Sequence, residues 1–227
     1  MKKIYCISGL GSDEKIFARI RVDGYELVHI PWLIPEKNEP IDIYAKRMSK
    51  NITSEQPVLM GLSFGGMMCV EISKILPVEK LVLVSSIKSY KEMPGWMKGA
   101  GRLRLDKIIP LRPYRLLEPL ENYNMGVSNA EDLEMVRRYR KNVQQDYLNW
   151  AVHQILNWKN DWQPEHLFHI HGDADRIFPI KKVQPTYTVN GGGHFMIYNQ
   201  ASLINESLKH IFHPGNDEAS GTPVGQH

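Results

Sequence analysis

An apolar run, Val58-Leu59-Met60, meets Gly61-Leu62-Ser63-Phe64-Gly65-Gly66 and passes without a spacer into a helical pattern over Phe64 to Ile75. This abrupt strand-to-helix turn sets the theme of the chain. Lys3 to Ile7 (KIYCI) and Leu81 to Val84 (LVLV) are runs of the same kind, each ending at a serine. Continuous rather than alternating apolar runs suit strands covered on both faces, as in a parallel sheet. Weaker strand patterns fall at Tyr25 to Ile30, Leu167 to Ile170 and Thr186 to Val189. Helical stripes lie between them, at Ile41 to Ile52 through Tyr44, Ala45 and Met48, and at Ser202 to Phe212. Strand and helix in alternation predict an α/β fold built on an open, mostly parallel sheet with helices on both faces.

From Ile87 to Asp161 the rhythm breaks. The stretch is rich in Pro, Trp, Tyr and Arg, holds helical patterns at Ala130 to Val143 and Asp146 to Trp158, and shows no strand pattern. A sheet that pauses and resumes implies an inserted helical cap over the sheet's C-terminal edge, the edge along which ligands bind. The expected division is a core of residues 1–86 and 162–213, a cap of residues 87–161, and a disordered tail over 214–227, which lacks apolar content.

Composition excludes several function classes. With 227 residues, 42% of them hydrophobic, the chain can bury a core without disulfides, and Cys6 and Cys69 lie in apolar stretches as expected of buried, reduced thiols. Lys and Arg number 28 against 25 Asp and Glu, a balance too mild for nucleic acid as the default partner. The apolar run after Met1-Lys2-Lys3 reaches Ser8-Gly9 at once and Asp13-Glu14 follow, so no signal-peptide core forms. No window approaches the roughly 18 apolar residues that span a bilayer, so no membrane is expected and the location expected is cytoplasmic.

The chemistry centres on Ser63. In a G-x-S-x-G turn between strand and helix, the serine is held up in a strained conformation while the flanking glycines let strand and helix pass closely. The Phe64 N–H, at the helix N-terminus, can then face a developing oxyanion. A serine hydroxyl needs a histidine to take its proton and an acid to orient that histidine. Downstream, Gly191-Gly192-Gly193-His194-Phe195 offers a base on a flexible loop, and His169-Ile170-His171-Gly172-Asp173-Ala174-Asp175 runs from a strand into an acidic turn. Either Asp173 or Asp175 could supply the carboxylate.

Taken together these motifs resemble the α/β-hydrolase fold family over roughly Lys3 to Phe212. The resemblance implies that the acid is Asp175 rather than Asp173, and that the base is His194. Ser8-Gly9-Leu10-Gly11-Ser12 is similar to the family's H-G-x-G-S loop, which implies the Leu10 N–H as the second oxyanion donor; Ser8 stands where the family usually has histidine. The family's two leading antiparallel strands have no counterpart, which implies a sheet of about six strands. The implied activity is that of a serine hydrolase cleaving a small or medium carboxylic ester or thioester through an acyl-enzyme, with neither cofactor nor metal.

Two readings of other classes stand beside it. One is a ligand-binding protein of the same shape without turnover. The other is a metal-dependent hydrolase using His169, His171, Asp173 and Asp175. Against the metal, the two histidines share a strand face as core or edge residues with satisfied hydrogen bonds would, and no second ligand group such as H-E-x-x-H occurs. Trp150, His153 and Trp158 form a stripe that is expected to pack the cap onto the sheet, while Met67, Met68 and Cys69 read as core. Residues 88–115 carry eight basic side chains (Lys88, Lys91, Lys98, Arg102, Arg104, Lys107, Arg112, Arg115) against Glu92 and Asp106. The resemblance gives this run an acidic acyl-carrier protein as its partner.

Overall fold

All six strand patterns enter one sheet in the computed structural model, which describes residues 1–108 and 117–214. The strands are β1 (Lys2–Ile7), β2 (Tyr25–His29), β3 (Val58–Leu62), β4 (Lys80–Val84), β5 (Leu167–Gly172) and β6 (Tyr187–Val189). Every pairing is parallel, in the order β2-β1-β3-β4-β5-β6. The helices are α1 (Ile41–Ser49), α2 (Phe64–Ser73), α3 (Gly95–Arg102), α4 (Leu105–Ile108), α5 (Glu118–Met125), α6 (Ala130–Asn142), α7 (Gln145–Asn157), α8 (Met196–Asn199) and α9 (Ala201–Phe212). Arg112 and Arg115 of the basic run, and the tail beyond Pro214, lie outside the described residues.

Neighbouring residues along each strand point to opposite faces, and both faces are covered. Ile4, Cys6, Val58, Met60, Val82, Val84 and Ile170 pack with Ile204, Leu208 and Ile211 of α9. Tyr5, Ile7, Leu59, Leu81 and Leu83 pack on the other face with Tyr44 and Met48 of α1 and with α2. This two-sided burial is why the strands read as unbroken apolar runs. Cys6 and Cys69 are free thiols on opposite faces, and burial pushes both well above the ordinary thiol range, so neither is a reactive thiolate.

The strand order positions the site. From β1 the chain steps outward to β2, then returns to β3 on the other side of β1. The C-terminal ends of β1 and β3 therefore flank the point where the sheet reverses direction, and an open α/β sheet has its crevice there. Ser8–Ser12 leaves β1 at that point and Ser63 leaves β3.

Among the described residues, helices α3 to α7 lie between β4 and β5. Two of them match the sequence patterns within a residue or so; α3 to α5 were not anticipated. Three glycines weaken the helical signal of α3, and α5 is a single exposed-faced unit opened by Pro119 near its start and closed by the left-handed Gly126. Asn129 caps α6 by accepting from the Asp132 N–H at 2.9 Å. Elsewhere α1 stops at Ser49 rather than Ile52, because the Asn51 and Ile52 N–H groups fold back onto the Met48 and Ser49 carbonyls. Among the described residues no helix is long and apolar enough to cross a membrane.

Candidate active site

Ser63 sits between β3 and α2 with φ 52° and ψ −120°, a positive-φ conformation rare for any residue but glycine. The surroundings hold it there: its N–H donates to the Val84 carbonyl at 3.0 Å, and its carbonyl accepts from Ser86 Oγ at 2.7 Å and from the Gly66 N–H at 2.9 Å. The turn also needs its glycines. A Cβ on Gly65 would collide with the Ile7 and Ser8 carbonyls, and one on Gly61 with the Gly65 backbone. Strand and helix thus pass at backbone contact, with the serine hydroxyl left at the crest.

His194 and Asp175 meet that hydroxyl from two loops. His194 Nε2 lies 2.9 Å from Ser63 Oγ, and His194 Nδ1 lies 2.8 Å from Asp175 Oδ2. Because the carboxylate can only accept, Nδ1 carries the proton and Nε2 faces the serine O–H as acceptor. Asp175 Oδ1 accepts from the Ile177 and Phe178 N–H groups at 2.8 and 2.9 Å, which ties the acid to its own turn. Burial by itself would raise the Asp175 pKa. The positive charge and hydrogen bond that His194 can offer, with His171 and the Phe178 N–H, outweigh burial and hold the carboxyl below its ordinary range. Asp173 is turned outward and accepts from the Gly191 N–H at 2.7 Å, so it braces the histidine loop instead of joining the cluster.

The two expected oxyanion donors lie beside the serine. Phe64 opens α2, and the segment carrying Leu10 runs against the turn: a Cβ on Gly9 would stand 3.5 Å from Ser63 Cβ. Among the described residues no hydrogen bond takes up the Leu10 or the Phe64 N–H. Ser8 has a local job that suits a small hydroxyl. Its Oγ donates to the Ser12 carbonyl at 2.6 Å and accepts from Trp32 Nε1 at 3.2 Å, which pins the loop into its curve.

Trp32 is the residue that sequence reasoning missed. It stacks on Phe64 with ring centroids 5.0 Å apart and planes 4° from parallel, and it meets Tyr147 of α7 at 5.5 Å. Its signal was its place, just past the C-terminal end of β2, on the edge where an open sheet binds ligands. Tyr147 is buried, and burial raises its pKa, a rise that the Gly11 N–H facing its hydroxyl offsets only in part. Val143 packs beside Gly11.

Other singled-out residues are structural. Trp150 stacks on Tyr44 at 4.1 Å and donates to the Glu39 carbonyl at 2.7 Å, Trp158 donates to Glu71 Oε1 at 2.7 Å, and His153 pairs with Asp106 at 2.6 Å. Met67, Met68 and Cys69 are fully buried. The expectation of satisfied histidines is corrected. His171 Nε2 bonds the Phe178 carbonyl at 2.7 Å, but His171 Nδ1 and the ring nitrogens of His169 make no close hydrogen bond among the described residues, the Ser86 backbone giving His169 a weak polar contact. The two rings pack edge-to-face at 5.1 Å on the same strand face. With Asp173 turned away, His169, His171, Asp173 and Asp175 do not converge, and among the described residues no three His, Cys, Asp or Glu side chains come together as a metal site.

A parallel sheet reversing at β1, a serine at the crest of a strand-to-helix turn, and an acid and a histidine on the loops after β5 and β6 define the α/β-hydrolase fold. The solved structures agree. An esterase from Thermogutta terrifontis aligns with a TM-score of 0.73 at 14% identity, covering 94% of this chain and 90% of its own. An epoxide hydrolase from Bacillus megaterium aligns at 0.67 and 12%, covering 93% of each chain, and a bromoperoxidase from Bacillus anthracis at 0.67 and 15%, covering 93% and 91%. No protein-family model and no curated protein matches the sequence.

Proposed function

We propose that the chain is a serine hydrolase that cleaves a small or medium carboxylic ester or thioester through an acyl-enzyme. The observation that carries this reading is the continuous hydroxyl–imidazole–carboxylate chain, with links of 2.9 and 2.8 Å. In the first half-reaction Ser63 Oγ attacks the substrate carbonyl carbon while His194 Nε2 takes its proton. Asp175 holds the ring and stabilises the imidazolium. The negative charge that develops on the carbonyl oxygen meets the Leu10 and Phe64 N–H groups, and loss of one such donor costs about 3 kcal/mol, or roughly a hundredfold in rate. Collapse breaks the bond to the leaving alkoxide or thiolate, which receives the proton from Nε2. Water then attacks the acyl-enzyme, again deprotonated by His194, and releases the acid with Ser63 restored.

The helices between β4 and β5 act as a cap in this reading. Val143 and Tyr147 approach the oxyanion loop from above and, with Trp32, offer an apolar wall beside the carbonyl site. An esterase among the proteins of like fold adds support for ester cleavage. Arg102, Arg104 and Lys107 are exposed on the α3–α4 segment, and this favours an acidic partner there, of which an acyl-carrier protein is one kind. The test is to treat wild type and Ser63→Ala with a fluorophosphonate and to read intact masses, followed by p-nitrophenyl esters and acyl thioesters. One adduct on wild type only, with turnover abolished in Ser63→Ala and His194→Ala, is the expected result. A folded wild type that neither labels nor turns over any ester or thioester would overturn the proposal in favour of a ligand-binding role.

A further inference from the structure

The loops that carry Asp175 and His194 are gripped by the C-terminal end of one helix from outside the sheet. On the acid side, Arg176 Nη1 donates to the Tyr123 carbonyl of α5 at 2.9 Å, and its guanidinium lies 4.0 Å from the centre of the Tyr123 ring. On the base side, the Phe195 N–H, next to His194, donates to the Met125 carbonyl of α5 at 2.8 Å. Gly126, which ends α5 at φ +74°, lies against Gly193 so closely that a Cβ there would stand 3.0 Å from Gly193 Cα and 3.7 Å from the His194 nitrogen. Asn199 of α8 adds a second tie, donating to the Gly126 carbonyl at 3.0 Å and to Asp132 Oδ2 at 2.9 Å. Asp132 is fully buried and also receives the Ser128 N–H and Oγ, so the anchor itself is fixed.

From this we infer that the α5 terminus is a clamp that sets the distance between acid and base, with Gly126 and Arg176 as its positioning residues. The inference rests on the catalytic reading only for the claim that this distance governs rate. The physical reason is geometric. The acid follows β5 and the base follows β6, and the two loops are tied to each other near the sheet, through the Gly191 N–H on Asp173 and the Ala174 N–H on the Gly192 carbonyl, and further out by the 2.8 Å bond between His194 and Asp175. The ties to α5 fall at Arg176 and Phe195, each next to the acid or the base itself, so the helix end fixes the outer parts of both loops that the inner bonds leave unheld. Glycine suits the approach of Gly126 to Gly193 best, since any Cβ there would be strained by the left-handed backbone and would push Gly193 away by a few tenths of an ångström. Motion of the cap at α5 is thereby transmitted to the bond between His194 and Asp175.

The test follows the low-field Nδ1 proton of His194 by NMR in the full chain. That signal reports the bond to Asp175 whether or not the protein turns anything over. Wild type is compared with Gly126→Ala, Arg176→Ala and Leu120→Ala, the last on an exposed position of α5 that touches neither loop. Fluorophosphonate labelling rates across pH are measured in parallel, with thermal melts to confirm folding. In Gly126→Ala the proton line is expected to broaden or vanish. Its labelling is expected to slow roughly tenfold or more, because small misplacements of catalytic groups are costly, and its pH–rate profile to shift. Arg176→Ala should move both readouts in the same direction by less, and Leu120→Ala should leave both unchanged. An unaltered line and labelling rate in a cooperatively melting Gly126→Ala, or in Arg176→Ala if the glycine variant does not fold, would overturn the clamp. A line that responds in a protein whose wild type never labels would sink the hydrolase reading and leave the clamp standing.

Discussion

Replacing Ser63 by glycine should make the protein more stable than replacing it by alanine, although both variants lack the nucleophile. The reasoning starts from φ 52° and ψ −120° at this residue. A non-glycine side chain held in such a region costs about 1–3 kcal/mol. Alanine keeps that strain and glycine removes it, while both delete the hydroxyl and with it the 2.9 Å bond to His194. The comparison therefore cancels the hydrogen bond and isolates the backbone. Against the relief stands the greater freedom of glycine in the unfolded chain, about 0.4–1 kcal/mol, which leaves a net preference for glycine centred near 1.3 kcal/mol and at most about 2.6 kcal/mol, both roughly. For a domain of this length the central value is a difference in melting temperature of roughly 3–5 °C. The assay is thermal and urea unfolding of the two variants side by side, with equal urea slopes as the check that the unfolded states match. A glycine variant that melts at or below the alanine variant would refute the idea that the turn stores strain.

Two further predictions separate neighbouring residues. Asp175→Asn should lower kcat roughly 10³–10⁴-fold by losing the correct imidazole tautomer, whereas Asp173→Asn should stay within about threefold of wild type, as measured on the best ester found. His169→Leu should stabilise the fold by about 1 kcal/mol, since it removes a buried imidazole that makes no close hydrogen bond and gives up only a weak contact with the Ser86 backbone. Burial holds the His169 pKa far below its ordinary 6.5, so between the two values the unfolded chain binds the extra proton and wild type loses stability as pH falls below about 6.5. The advantage of His169→Leu should therefore be larger at pH 5.5 than at pH 7.5 in urea titrations; an equal gap at both would contradict it.

Much of this architecture was legible because it is written locally. A strand buried on both faces must be apolar at every position, and Leu81 to Val84 announces itself on that ground alone. The turn at Ser63 needs glycines at 61 and 65 for contacts made within a few residues, so its motif is compact. His194 was visible for the same reason, as a histidine ending a glycine run. The choice of Asp175 over Asp173 was not local: two acids stand two residues apart, and their fates differ because Asp175 caps its own turn through Ile177 and Phe178 while Asp173 reaches out to Gly191. The clamp on α5 left no trace at all in the pattern. It works through the carbonyls of Tyr123 and Met125, and a carbonyl belongs to every residue. The weakly bonded nitrogens of His169 were equally invisible, since only the packed neighbours decide what a buried ring can reach.

The separation between the serine and its histidine, 131 positions along the chain, has a consequence for biosynthesis. A ribosome adding about 5–20 residues per second takes roughly 7–26 s to travel that far. During that interval the turn at Ser63 and the loop at Leu10 have already emerged, while the group that would awaken the hydroxyl has not been made. On the proposed mechanism, the nascent polypeptide has no base for Ser63 until His194 is added. A fragment cut off before His194 would, on that mechanism, carry the nucleophile without its base.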